Sequence, residues 1–169
     1  VPLRNPGRSG NSRVLAVNPL VCASMGADYD GDEMAVYVLD PGEEDDARKM
    51  LPTARQNLLS LANGAPLAGF DQDMVLGTFL ASQYSDDYLT RFFIKDVLYE
   101  DCDTCRELIR HRWDAEHCEK ILRHLCTSHI DDAAESSTDA VVSRIHTWMT
   151  RAFEVATRAG SSFGFFDLM

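Results

Sequence analysis

Three aspartates, Asp28, Asp30 and Asp32, fall within five residues in the stretch "GADYDGDEM". Carboxylates this close repel one another, so a fold that keeps them together must neutralise them with a cation or leave them fully hydrated. The apolar runs "PLVCAS" and "MAVYVL" flank the triplet and tie its loop to a core. In extended backbone, residues two apart point the same way, which lets Asp28 and Asp30 converge. Gly31 permits a sharp turn that returns Asp32 toward the same point. Three hard oxygen donors on a short loop suit Mg²⁺, which commonly keeps positions open for water and substrate phosphate. Bound there, such an ion activates a hydroxyl nucleophile and stabilises a pentacovalent phosphate. An EF-hand fits poorly: Gly31 is fourth from Asp28 rather than sixth, and the twelfth position is Leu39 rather than Glu.

The chain of 169 residues is 45% hydrophobic, the level of a folded domain. Sixteen basic against 27 acidic residues leave a net charge of -11. A free-standing nucleic-acid binder carries a basic face, so this balance argues against DNA or RNA binding by the chain alone. It is compatible with one part of a larger machine. No apolar run approaches the roughly 18 residues that span a bilayer, and no secretory signal opens the chain. Five cysteines at irregular spacing fit a reducing interior, so an intracellular location is expected.

Local patterns predict strands and loops over the first 40 residues, in "RVLAV", "PLVCAS" and "MAVYVL". A helix is expected from "LDPGEEDDARKML", with Asp40 as N-cap, Pro41 at the first helical position, Glu43 completing a capping box and Pro52 ending it. Its "EEDD" run (43–46) reads as charge favourable to the helix dipole, not as a second metal site. "QNLLSLANGAPLAG" reads as a short helical turn and a loop, with Asn63-Gly64 as the turn, and "QDMVLGTFLAS" as a buried helix. "CRELIRHRW" and "AEHCEKILRHLC" predict two short helices, the second with Cys118, Ile121, Leu122, Leu125 and Cys126 on one face. "DDAAESSTD" reads as a polar linker. A final helix carries the stripe Val141, Val142, Ile145, Trp148, Met149, Ala152, Phe153 and Ala156, and Gly160 stops it. Trp113 and Trp148 sit on such stripes and are expected in the core or at a subunit contact.

Cys102-x-x-Cys105, with His117, Cys118, His124 and Cys126 downstream, offers candidate zinc ligands. The spacing after the CxxC matches no standard finger. Cys118 and Cys126 also share an apolar face, where reduced cysteine behaves as a small hydrophobe. Zinc is therefore not expected. The five histidines pair with no candidate nucleophile, so a hydrolase has no support.

"NPLVCASMGADYDGDEMAVYVL" resembles the segment of the largest catalytic subunit of cellular multi-subunit RNA polymerases (β′ in bacteria) that carries the N-A-D-F-D-G-D metal motif. The resemblance continues through "ARQNLLSLANGAPLAGFDQDMVLG", with Asn57, Ser60, Asn63, Gly64, Pro66, Gln72, Asp73, Leu76 and Gly77 in matching places. "ATRAGSSFGFFDLM" is similar to a later segment of that subunit, and Arg4-Asn5-Pro6 to the R-x-P upstream of the motif. It is strongest over residues 14–82, moderate over 150–169 and thin between.

The resemblance implies an α+β fold in which residues 1–40 form part of a double-psi β-barrel bearing the Asp loop. Residues 41–84 would be a helix and loop segment packed on it, and residues 85–169 a helical region ending in a Gly/Ser turn. It implies that Asp28, Asp30 and Asp32 hold the catalytic Mg²⁺, while a second Mg²⁺ arrives with the nucleoside triphosphate. Arg4 and Gly26 would lie near the substrate; Gly26 stands where the family has Asn. The implied activity is DNA-directed RNA synthesis within an assembly of β-like and further β′-like chains, acting on NTPs with a DNA template and an RNA product. The chain is far shorter than the family's subunit, which implies an excerpt or a naturally split subunit, as in some giant phages. An RNA-templated polymerase of the related double-barrel type, or a cation-binding module without catalysis, are the alternatives.

Overall fold

The computed structural model describes residues 15–50, 57–83, 96–99, 101–108, 113–129 and 135–160. The chain divides into two compact units, Val1–Gly69 with Cys126–Val142 and Phe70–Leu125 with Ser143–Met169. The described residues are mainly helical. None of them lies in a β-strand, and an antiparallel bridge joins Leu59 to Pro66.

In the first unit, "PLVCAS" is helical rather than a strand: a 3-10 turn over Pro19–Val21 runs into α1, Cys22–Met25. The cause is local. Asn18 accepts the Leu20 N–H on its side-chain oxygen at 3.0 Å, and Pro19 occupies the first position, where its missing N–H costs nothing. Gly26 closes α1 in the left-handed conformation, φ 60°. "MAVYVL", expected as a strand, has no regular secondary structure. Val36, Tyr37 and Val38 are 62%, 84% and 96% exposed, which leaves this stretch an uncovered apolar surface.

The turn before α2 (Glu44–Met50) bears out part of the capping prediction. The Glu43 carboxylate accepts the Asp40 N–H at 3.1 Å, as in a capping box, but the helix starts at Glu44, after a turn with Gly42 at φ 108°. Pro52 lies outside the described residues. Residues 57–69 form a hairpin-like loop rather than a helical turn. Leu67 N–H donates to Leu58 O at 2.8 Å and Ser60 N–H to Ala65 O at 2.7 Å, around the Asn63-Gly64 turn. This loop clamps α1: Gly69 N–H donates to Leu20 O at 3.0 Å, and a Cβ at Gly69 would lie 2.4 Å from Ala23 Cβ. Leu20, Val21, Leu58 and Ala68 are buried here.

The second unit holds α3 (Gln72–Gln83), α4 (Asp103–Leu108), the first part of α5 (Ala115–Ser128) and most of α6 (Glu135–Ala159). Its core is aromatic. Trp148, fully buried, meets Phe70 at 4.2 Å and Trp113 at 5.7 Å between ring centroids, both edge to face. Helices α3 and α6 touch backbone to backbone at Gly77, where a Cβ would stand 1.9 Å from the Ala152 carbonyl oxygen. Arg144 donates to the carbonyls of Asp96 and Leu98 at 3.2 and 3.1 Å and stacks 4.1 Å over the Tyr99 ring.

Asp114 caps α5, accepting the His117 N–H at 2.9 Å. The five predicted apolar positions of that helix, Cys118 to Cys126, are all buried. In α6, Val141, Ile145, Trp148, Met149 and Ala152 are buried as predicted, while Val142, Phe153 and Ala156 are partly covered and Val155 is buried instead. Gly160 follows at φ 56°. Residues 135–139, read as the end of a polar linker, form the first turn of α6, and Thr138 there is buried. No helix among the described residues is long and apolar enough to cross a membrane.

Candidate functional site

The Asp loop leaves α1 through the left-handed Gly26 and turns again at Gly31, φ 124°. Its backbone is organised by its own carboxylates. Asp28 N–H donates to Asp32 Oδ2 at 3.0 Å, and Asp30 N–H donates to Asp28 Oδ1 at 3.2 Å. Tyr29 anchors the loop from the other side, its hydroxyl donating to the Val17 carbonyl at 3.0 Å. Burial, with Cys22 beside it, pushes the Tyr29 phenol up to about 12, so it remains a donor.

One carboxylate oxygen from each of Asp28, Asp30 and Asp32 lies within 4.8 Å of the others, and all three residues are exposed. The convergence expected from the sequence is thus present, and it leaves an electrostatic mark. Hydrogen bonding from the Asp30 side chain and amide holds the Asp28 carboxyl below the usual range. The neighbouring Asp28, and more weakly Asp32, raise that of Asp30. Asp28, Asp32 and Gly31 line a cleft of about 570 Å³ together with Leu15, Val17, Cys22 and Met34. Its lining mixes acidic with apolar side chains.

Gly26, expected near the substrate, borders the loop with open space around its Cα; Arg4 lies outside the described residues. Of the Gly/Ser turn after α6, only Gly160 is described. Asn57, one of the matching residues, donates its side-chain amide to the Met50 carbonyl at 2.7 Å and so holds the end of α2.

The Cys/His candidates divide differently from the sequence expectation. Cys118 and Cys126 are buried on α5, and burial pushes their thiols up to about 12 and about 11. Neither joins a group of potential ligands among the described residues, and nor does His117. Cys102, Cys105 and His124, all in the second unit, do: their donor atoms lie within 4.8 Å of one another.

No protein-family model matches the chain, and no solved structure matches it. Curated proteins do. The DNA-directed RNA polymerase subunit beta′ of Rubrobacter xylanophilus is 42% identical over 80 residues, which take in 47% of this chain and 6% of that protein. The DNA-directed RNA polymerase subunit gamma of Thermosynechococcus vestitus is 39% identical over 95 residues, 52% of this chain and 15% of that one. The gamma subunit of Parasynechococcus marenigrum is 35% identical over 103 residues, 56% of this chain and 16% of that one. The chain thus spans between 6% and 16% of the length of these relatives. Over about half of its own length, this chain is homologous to the beta′ and gamma subunits of DNA-directed RNA polymerase.

Proposed function

We propose that the chain is a catalytic-site piece of a multi-subunit DNA-directed RNA polymerase, with Asp28, Asp30 and Asp32 as its Mg²⁺ ligands. The observation that carries this reading is the convergence of three exposed carboxylates in a chain homologous to such subunits. The donor set fits the ion: all hard oxygens, on a surface loop that leaves room for water and phosphate. When bound, Mg²⁺ would activate the RNA 3′-hydroxyl and offset the charge developing on the α-phosphate of the incoming nucleotide. The chain's own part is to hold the three carboxylates together through the loop's amide donors and the Tyr29 anchor.

The remaining subunits would supply the basic path for DNA and RNA that a chain of net charge -11 lacks. They would also supply strands to pair with the exposed stretch at residues 36–39, completing the barrel implied by the resemblance. This reading places the protein inside the cell, in an assembly, with NTPs as substrates.

The test is template-dependent nucleotide incorporation by the reconstituted assembly, with wild-type chain and with Asp30→Asn. The substitution removes one ligand charge and barely alters shape. Loss of incorporation with intact assembly is expected; wild-type activity in Asp30→Asn overturns the metal assignment. Running the same assay on RNA templates separates DNA-directed from RNA-directed synthesis.

A further inference from the structure

Cys102 directly precedes α4, and Cys105 sits in that helix's first turn, so one short helix start carries both thiols. The Cys105 N–H donates to Cys102 Sγ at 3.4 Å, the kind of amide contact that stabilises a thiolate. Cys102 Sγ lies 3.3 Å from His124 Nε2 on α5. A tetrahedral zinc with Zn–S of about 2.3 Å and Zn–N of about 2.0 Å has S···N edges of about 3.5 Å. The Cys102–His124 separation of 3.3 Å is close to such an edge. A simple hydrogen bond would account for that pair, but not for the fully buried Cys105 thiol meeting both of its atoms within 4.8 Å.

We propose that Cys102, Cys105 and His124, all in the second unit, form a zinc site. The C-x2-C at 102–105 has ligand spacing. The stretch from Cys105 to His124 is longer than in a classical finger, and its described parts, 106–108 and 115–123, are helical, which is why the sequence alone predicts no zinc. Two thiolates and an imidazole select Zn²⁺ over the hard cation of the Asp loop. A water or one further donor completes the tetrahedron.

The site answers a structural need. Helix α4 has six residues, and isolated helices shorter than roughly 12–15 residues are marginal in water. A metal that joins its first turn to the 14-residue α5 holds it in place. Binding requires both thiols to lose their protons, so Zn²⁺ uptake releases protons and weakens as the solution is acidified.

The test is zinc content by elemental analysis of the full chain, purified under reducing conditions, beside Cys105→Ser, Cys102→Ser, His124→Asn and, as control, Cys126→Ser. Any zinc contributed by co-purifying partners cancels in the comparison. Stoichiometric zinc is expected in the wild type and in Cys126→Ser, with at least about a tenfold fall in each ligand variant. Co²⁺ replacement should give the spectrum of a tetrahedral thiolate site. Should Cys105→Ser fail to fold, the partly exposed Cys102→Ser and His124→Asn carry the comparison. The proposal is overturned if the wild type binds neither metal, if His124→Asn keeps the wild-type cobalt spectrum, or if the isolated chain holds a Cys102–Cys105 disulfide instead.

Discussion

Trp148 donates its indole N–H to Thr78 Oγ1 at 3.0 Å across 70 residues of sequence, and Thr78 in turn donates to the Met74 carbonyl at 2.7 Å. Both residues are fully buried. This relay lets the largest side chain of the second unit's core lie among Phe70 and Trp113 with its N–H bonded.

Thr78→Val keeps the shape and removes the acceptor that the Trp148 N–H uses. A loss of about 1–3 kcal/mol is expected in urea denaturation of the full chain, whereas Thr78→Ser retains the bond and loses about 1 kcal/mol for its methyl group. Equal stability of the valine variant and wild type would show that the hydrogen bond contributes nothing.

The buried thiols set an alkaline limit. Cys118, raised to about 12 by burial and then by Asp114, and Cys126, raised to about 11 by burial, stay protonated in the fold. The unfolded chain ionises them near the ordinary 9.0. Above that pH the unfolded state binds fewer protons than the native one, so stability falls as pH rises from about 9 toward about 12. Below pH 9 these groups contribute no pH dependence. Denaturation midpoints across this range check the sign, and Cys118→Val should flatten the slope.

Val36, Tyr37 and Val38 stand in water in the isolated chain. The chain is expected to self-associate, and Val38→Lys to reduce that association without lowering stability, because position 38 is 96% exposed and packs on little. Light scattering at rising concentration measures the first effect and denaturation the second. A monodisperse wild-type monomer would contradict this.

Gly26 has φ 60°, and a Cβ added there would meet nothing within 4 Å, a combination that asparagine tolerates better than other side chains. Gly26→Asn should therefore fold. If the assembly makes RNA as proposed, restoring the family's amide should strengthen its preference for ribonucleotides, since a group placed to bond a hydroxyl disfavours substrates lacking it. Competing matched ribo- and deoxyribonucleotides against each other gives the ratio. An unchanged or lowered preference means that the sugar is recognised by other residues.

Much of the helical layout was legible because its signals are local. The α5 stripe repeats with helical period, and the Glu43 contact to Asp40 follows from four consecutive residues. "PLVCAS" misled because its apolar run looks like a strand while Asn18-Pro19 is also a helix start, and the cap prevailed. "ESSTD" (135–139) misled because polarity suggested a linker although Ser, Thr and Asp equally open helices. At the Asp loop, the sequence placed the three carboxylates together but held no hint that Tyr29 ties them to Val17. The Cys/His cluster was the hardest to see: its members are drawn from two helix ends, and the spacing in the chain says nothing of that approach.

Gly77 lies against the Ala152 carbonyl with no room for a side chain between them. A contact between two main chains is indifferent to chemistry and intolerant of volume, so even the smallest side chain is excluded at position 77. Scanning every substitution through α3 should find the buried Met74, Thr78 and Ala81 open to some replacements and position 77 open to none, because only there is the limit set by backbone rather than by a side chain that can be exchanged.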